Sequence, residues 1–150
     1  MAIVAQGPGN VGTETDWGFG SIAQGEQINA VGILGGTPVA VPRISFADSR
    51  PRHRGVSRQT LVVLGKVVLV QTAVAVPAME EEKLELVHRQ LDDAGITEWH
   101  DVLVAKGEIG LAVLAEKGVE VKSMGRSPAE DLEFFLAAGA AGVVAVEGIT

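Results

Sequence analysis

The stretch VVLVQTAVAVPAMEEEKLELVHRQLDDAGITEWHDVLVA, residues 67–105, reads as strand, helix and strand in succession. Val67–Val76 is a valine-rich, uncharged run of the kind that forms a buried strand. From about Met79 to Ala94 the period changes: Leu84, Val87, His88 and Leu91 fall on one helical face. Acidic residues open that helix, Arg89 comes late and Gly95 stands as its stop, an order that suits the helix dipole. Asp101–Ala105 is extended and apolar again. Strands alternating with helices are the signature of a parallel sheet with helices packed against it.

The same alternation extends outward. Ala2–Gln6, Pro38–Ser45, Val119–Lys122 and Val143–Val146 are the further predicted strands. Ser21 with Gln24, and Ser127 with Pro128 and Glu130, have capping-box spacing and predict helix starts. Ser57–Leu64 predicts a helix with Ser57 as its N-cap, although Val62 and Val63 favour strand equally. Leu91–Gly95, Leu114–Gly118 and Phe135–Gly139 each read as a helix end closed by glycine, and Ala137–Gly142 as close-packing material. The expected fold is one α/β domain over residues 1–150, with a mainly parallel central sheet and helices on both faces, a Rossmann-like three-layer arrangement.

At 47% hydrophobic residues, 150 residues suffice to bury a core. There is no cysteine, hence no disulfide framework, and no apolar run reaches the ~20 residues that a membrane span needs. A cytoplasmic location and no membrane partner are expected. The net charge of −7 conceals a polarity: residues 1–26 carry −3, residues 27–79 carry +5 and residues 80–150 carry −9. An acidic chain with one local basic stretch is a poor general nucleic-acid binder.

That basic stretch, PRISFADSRPRHRGVSR from Pro42 to Arg58, holds five of the seven arginines. Guanidinium groups stay charged and repel one another, so their crowding calls for negative charge nearby. Two readings meet that demand. One is a phosphate- or carboxylate-bearing ligand held by Arg50, Arg52, Arg54 and Arg126 with the amides of Gly7 and Gly9. The other is ion pairing to the acidic part of the chain or to a second subunit in a homo-oligomer. His53, amid four arginines, is expected to titrate low and stay neutral, which suits a general base or an ordinary hydrogen-bonded loop histidine. Capping alone accounts for Ser57, and a serine nucleophile is disfavoured.

Gly7, Gly9 and Gly12 have the GxGxxG spacing after a predicted strand, which invites a nicotinamide or flavin nucleotide. The match is imperfect, because the helix start at Ser21 comes late and no acid ends the next strand where a ribose contact needs one. His88 and His100 lack metal-ligand spacing, and Glu80, Glu81, Glu82 and Glu85 read as a solvated first turn, so no metal site is expected. Trp17 and Phe19, flanked by Gly18 and Gly20, read either as a lid over a ligand or as packing within the loop.

The motifs GPGNVGT, VPRISFADSRPRHRGVS and MGRSPAEDLEFFLAAGAAG together resemble the carboxyl-terminal half of an uncharacterised bacterial family, a domain of unknown function. The resemblance spans nearly the whole chain. It implies longer members on the amino-terminal side, leaving room for Met1 to open a fragment whose missing neighbour, or a second subunit, covers a sheet edge. It implies no activity. After Ser57 the family pattern tends to histidines, whereas this chain has Arg58 and Gln59. A histidine-based metal or proton relay loses support accordingly.

Overall fold

A computed structural model describes residues 1–5, 11–13 and 15–148. In chain order the elements are helix α1 (Ile22–Ile33), strands β1 (Val39–Ala40) and β2 (Ile44–Ser45), a 3-10 turn (Pro51–His53), and β3 (Gly55–Val56). Then come α2 (Arg58–Val62), a π-helical turn (Val63–Val67), β4 (Ala73–Pro77), α3 (Glu81–Asp93), α4 (Ile96–Trp99), β5 (Asp101–Ala105), α5 (Glu108–Glu116) and α6 (Leu132–Glu147). The fold is α/β: three parallel strands in the order β1-β4-β5, with Val74 beside Val102, and a separate antiparallel pair β2-β3.

The strand–helix–strand unit forms as its sequence demands. Val74 and Val76 point into the main cluster with Val87 and Leu91 of α3, whereas Ala75, between them, packs with Ala141 and Val144 of α6. That is the period-2 alternation of a strand with both sides covered. Gly95 ends α3 at φ 69°, in the left-handed region where glycine has no Cβ to clash.

Several predicted strands are divided, shortened or absent among the described residues. Pro38–Ser45 is divided around Pro42, which has no N–H to give a ladder, so β1 joins the parallel sheet while β2 turns away to pair with β3. In Val67–Val76 the first residues close the π-helical turn. Asn29 then serves the backbone in place of a neighbouring strand, donating to the Val67 carbonyl at 3.0 Å and accepting from Leu69 N–H at 2.7 Å. Residues 2–5 are exposed and form no strand among the described residues, and Gln6 lies outside them. Val119–Lys122 is largely exposed and pairs with no strand among the described residues.

Val143–Val146 belongs to α6, and Gly139 is not a helix end. Leu136, Ala137, Ala140, Ala141 and Val144 are buried at helical spacing, so α6 runs on through both of its glycines. Gly139 is there for contact: a Cβ on it would lie 2.1 Å from the Gly107 carbonyl oxygen, and one on Gly110 would lie 3.0 Å from Gly139 Cα. Helices α5 and α6 thus meet backbone to backbone. The start at Ser21 is correct, but its hydroxyl does not cap α1. Glu130 does accept from Ser127 N–H and Oγ at 2.8 Å, yet this closes a turn ahead of α6, whose N-cap is Asp131.

Among the described residues, no helix is long and apolar enough to cross a membrane. A cavity of about 270 Å³ lies between the π-helical turn and Trp99, near the amino-terminal ends of β4 and β5. The arginine loop follows β1 and so leaves from the opposite, carboxyl-terminal side of the sheet.

The two glycines of α6 should respond oppositely to alanine. Gly139→Ala is expected to lower unfolding stability by about 2–3 kcal/mol through overpacking. Gly142→Ala, whose Cβ meets nothing within 4 Å, should raise it by about 0.5–1 kcal/mol. Urea unfolding of both variants checks the pair.

Candidate functional site

The arginine segment is a closed loop. Ser45 pairs with Gly55, Ser57 N–H donates to the Arg43 carbonyl at 2.8 Å, and Gln90 of α3 clamps the exit. Its Oε1 accepts from Val56 N–H at 2.8 Å and its Nε2 donates to the Arg54 carbonyl at 3.0 Å. Gly55 has φ 71°, and a Cβ there would lie 2.3 Å from Gln90 Oε1, so only glycine fits beneath the clamp.

Three guanidiniums converge on Asp48, a buried carboxylate. Arg50 grips it bidentately, Nε to Oδ1 at 2.9 Å and Nη2 to Oδ2 at 2.8 Å, and adds its backbone N–H at 3.0 Å. Arg43 donates to Oδ2 at 2.9 Å, and Arg126 Nη2 lies 3.7 Å from the same oxygen. The Arg50 hydrogen bonds hold this carboxyl well below the usual range, against the opposing effect of burial. Asp48 N–H donates to Ser45 Oγ at 3.1 Å, and that hydroxyl points to both oxygens of Asp131, at 2.9 and 2.8 Å. Arg126 Nε lies 3.5 Å from Asp131 Oδ2, is buried, and has no hydrogen-bond partner among the described residues. Three guanidiniums therefore converge on two buried carboxylates, and the exposed Glu130 acts on Arg126 from outside.

Above them stands Met124. Ser123 and Arg126 exchange both backbone hydrogen bonds at 2.9 Å, with Met124 at φ 52° and Gly125 at φ 80°, the geometry of a primed two-residue hairpin turn. A side chain at positive φ is normally asparagine or aspartate. Here the thioether sulfur lies 3.5 Å from Arg43 Nη2, 3.8 Å from Arg50 Nη2 and 3.9 Å from Arg126 Nη2. The weakest acceptor among side chains occupies the point where three guanidiniums converge.

The other predicted site residues lie elsewhere. Arg52 donates from Nε to His53 Nε2 at 3.3 Å, and Arg58 pairs with Asp16. Both line a crevice with Thr13, Thr15 and Gln59, beside the loop that Gly12 and Phe19 bridge. Phe19 is buried against the core, which is packing, while Trp17 is exposed and lies under Lys66. Arg54 is exposed, with no side-chain partner among the described residues. Gly7 and Gly9 lie outside the described residues. Residues 2–5 supply no strand ahead of a dinucleotide fingerprint, and α1 opens only at Ile22.

His53 and Ser57 are both buried, with Nδ1 and Oγ 2.7 Å apart. The hydroxyl is committed to His53, so Ser57 does more than precede α2, for which it makes no side-chain cap. Arg52 Nε–H can only donate, so His53 Nε2 accepts and the ring proton sits on Nδ1. That proton points at Ser57 Oγ, opposite to the direction needed to activate a serine nucleophile. Burial, then Arg43 and Arg50, push the imidazole down to about 4 from its ordinary 6.5.

Arg43, Asp48, Asp131 and Met124 are members of the site that sequence reasoning did not select. Asp48 had a signal, being the single acid between residues 27 and 79. Residues 1–142 match the family described as a protein of unknown function, DUF3866. The chain belongs to the DUF3866 family. No curated protein and no solved structure matches this DUF3866 chain.

The low His53 value makes stability depend on pH. Between 6.5 and about 4 the unfolded chain binds a proton that the folded chain refuses, so this contribution is complete above 6.5 and is lost as pH falls toward 4. Asp48 acts in the next window, its contribution being withdrawn only below its ordinary 3.8. The His53→Gln variant should lack a loss on the order of 3 kcal/mol that the parent shows between pH 6.5 and 4, read from urea midpoints.

Proposed function

We propose that this DUF3866 domain binds a small phosphate- or carboxylate-bearing anion at the convergence of Arg43, Arg50 and Arg126. One observation carries the reading: Met124 Sδ lies within 3.9 Å of a terminal nitrogen of all three guanidiniums. A thioether offers those donors little, whereas an oxyanion there accepts charge-assisted hydrogen bonds from several at once. The buried Nε of Arg126, ion-paired to Asp131 at 3.5 Å but without a hydrogen bond among the described residues, favours an anion further. So does position, because ligands of parallel α/β sheets bind outside the carboxyl ends of the strands. We take the alternating sides of β4, packed against α3 and α6, as a small Rossmann-like three-layer core beneath that edge. Arg50 and Arg126 are kept from the expected ligand set, Arg43 joins them, and Arg54 falls outside.

A second reading, self-association, is favoured by a different observation. Strand β5 has an open edge with Leu103 and Val104 exposed, and α5 buries none of its residues while exposing Ile109 and Val113. An apolar, proline-free edge of this kind pairs with a second copy of itself about a two-fold axis.

Calorimetric titration with inorganic phosphate and malonate at constant ionic strength tests the first reading. Binding is expected in the parent, weakened tenfold or more in Arg126→Gln and Arg43→Gln and unchanged in Arg54→Gln. Equal affinity in all four proteins, or no binding at 10 mM (roughly −2.7 kcal/mol at best), discards it. For the second, light scattering should find a dimer in the parent and a monomer in Val104→Lys. A monomeric parent removes that reading.

A further inference from the structure

We infer that Met124 is a site of reversible oxidation, and that its sulfoxide closes the arginine site by supplying the oxygen acceptor the thioether lacks. The regulatory consequence rests on the anion reading above; the modification itself rests on the geometry of the turn.

Three observations point to it. First, access: Met124 is 65% exposed, whereas Met79 is partly buried against the core. Second, surroundings: three guanidinium N–H groups donate to its sulfur at 3.5–3.9 Å, and these hydrogen bonds are weak because a thioether is a poor acceptor. An oxygen bonded to Sδ on that side lies closer to them and carries far more negative charge. Third, backbone: the residue is held at φ 52° by the Ser123–Arg126 pair, so the side chain is presented from a fixed position. Oxidation ordinarily damages a protein by placing a polar sulfoxide among apolar neighbours. Here the neighbours are hydrogen-bond donors, and the product fits better than the starting group.

The step balances with a peroxide as oxidant. Sulfur attacks one peroxide oxygen, the S–O bond forms as the O–O bond breaks, and the departing oxygen takes the remaining proton and leaves as water. Sulfur loses two electrons and peroxide gains them. A dithiol-dependent sulfoxide reductase reverses the change.

The test is limited hydrogen peroxide treatment of the whole chain, with peptide mass analysis to confirm one added oxygen on Met124. Melting and phosphate titration follow. Oxidised parent should melt roughly 3 °C or more above the reduced form and lose phosphate affinity tenfold or more. Met124→Leu treated alike should show neither change, and Arg126→Gln should show a smaller rise. An oxygen confirmed on Met124 with Tm unchanged or lowered overturns the inference, as does a Met124 that stays reduced where Met1 is fully oxidised. The two readings separate cleanly. If reduced protein binds no phosphate yet oxidation raises Tm, the anion reading fails and the modification stands. If reduced and oxidised forms bind phosphate equally and melt alike, the modification fails and the anion reading stands.

Discussion

The bidentate grip of Arg50 on the buried carboxylate of Asp48 is the interaction on which the carboxyl-terminal edge of this fold depends. A buried carboxylate is tolerable only when paired and hydrogen-bonded, and Asp48 has both. It also fixes what surrounds it. Its backbone N–H holds Ser45 Oγ, Ser45 holds Asp131 at the start of α6, and Arg126 spans the two carboxylates. One charge thus joins β2, the arginine loop, the turn at Met124 and the first residue before α6. Removing one partner of such a pair leaves an uncompensated buried charge, typically a loss of about 3–5 kcal/mol.

Legibility in the sequence followed how local the deciding interactions were. The unit from β4 through α3 to β5 was readable because its hydrophobic period, its acidic first turn and Gly95 all lie within it. The end of α6 was not. Val143–Val146 has strand propensity, and Gly139 resembles a stop until Gly107 is seen against it. The fate of Val67–Val70 was equally hidden, since it turns on Asn29, a residue of α1. Propensity is a weak prior, and in each case a tertiary contact outweighed it.

The arginines show the same division. Their crowding was legible, and so was the need for negative charge, but much of that charge comes from Asp48 inside the stretch and not from beyond it. The spacing of Asp48 and Arg50 reveals a bidentate pair only once β2 and β3 have closed the loop. Closure also sorts the remaining members. Pro51 begins a 3-10 turn that directs His53 inward, to Ser57, and leaves Arg54 on the outside. Consecutive arginines therefore face different surroundings, and no reading of composition separates them.

What the pairing leaves over is the more informative quantity. Two buried carboxylates hold three guanidiniums together, and a terminal nitrogen of each is directed at a methionine. A structural ion-pair cluster gains nothing from keeping a polarizable, nearly neutral group at its focus, where an asparagine on the same left-handed turn would relieve the backbone and satisfy the donors. Methionine is flexible and easily displaced, and it shields the guanidiniums without competing for them. On the anion reading proposed above, that displaceable cover lies where an oxygen acceptor would enter, within 3.9 Å of a terminal nitrogen of each guanidinium.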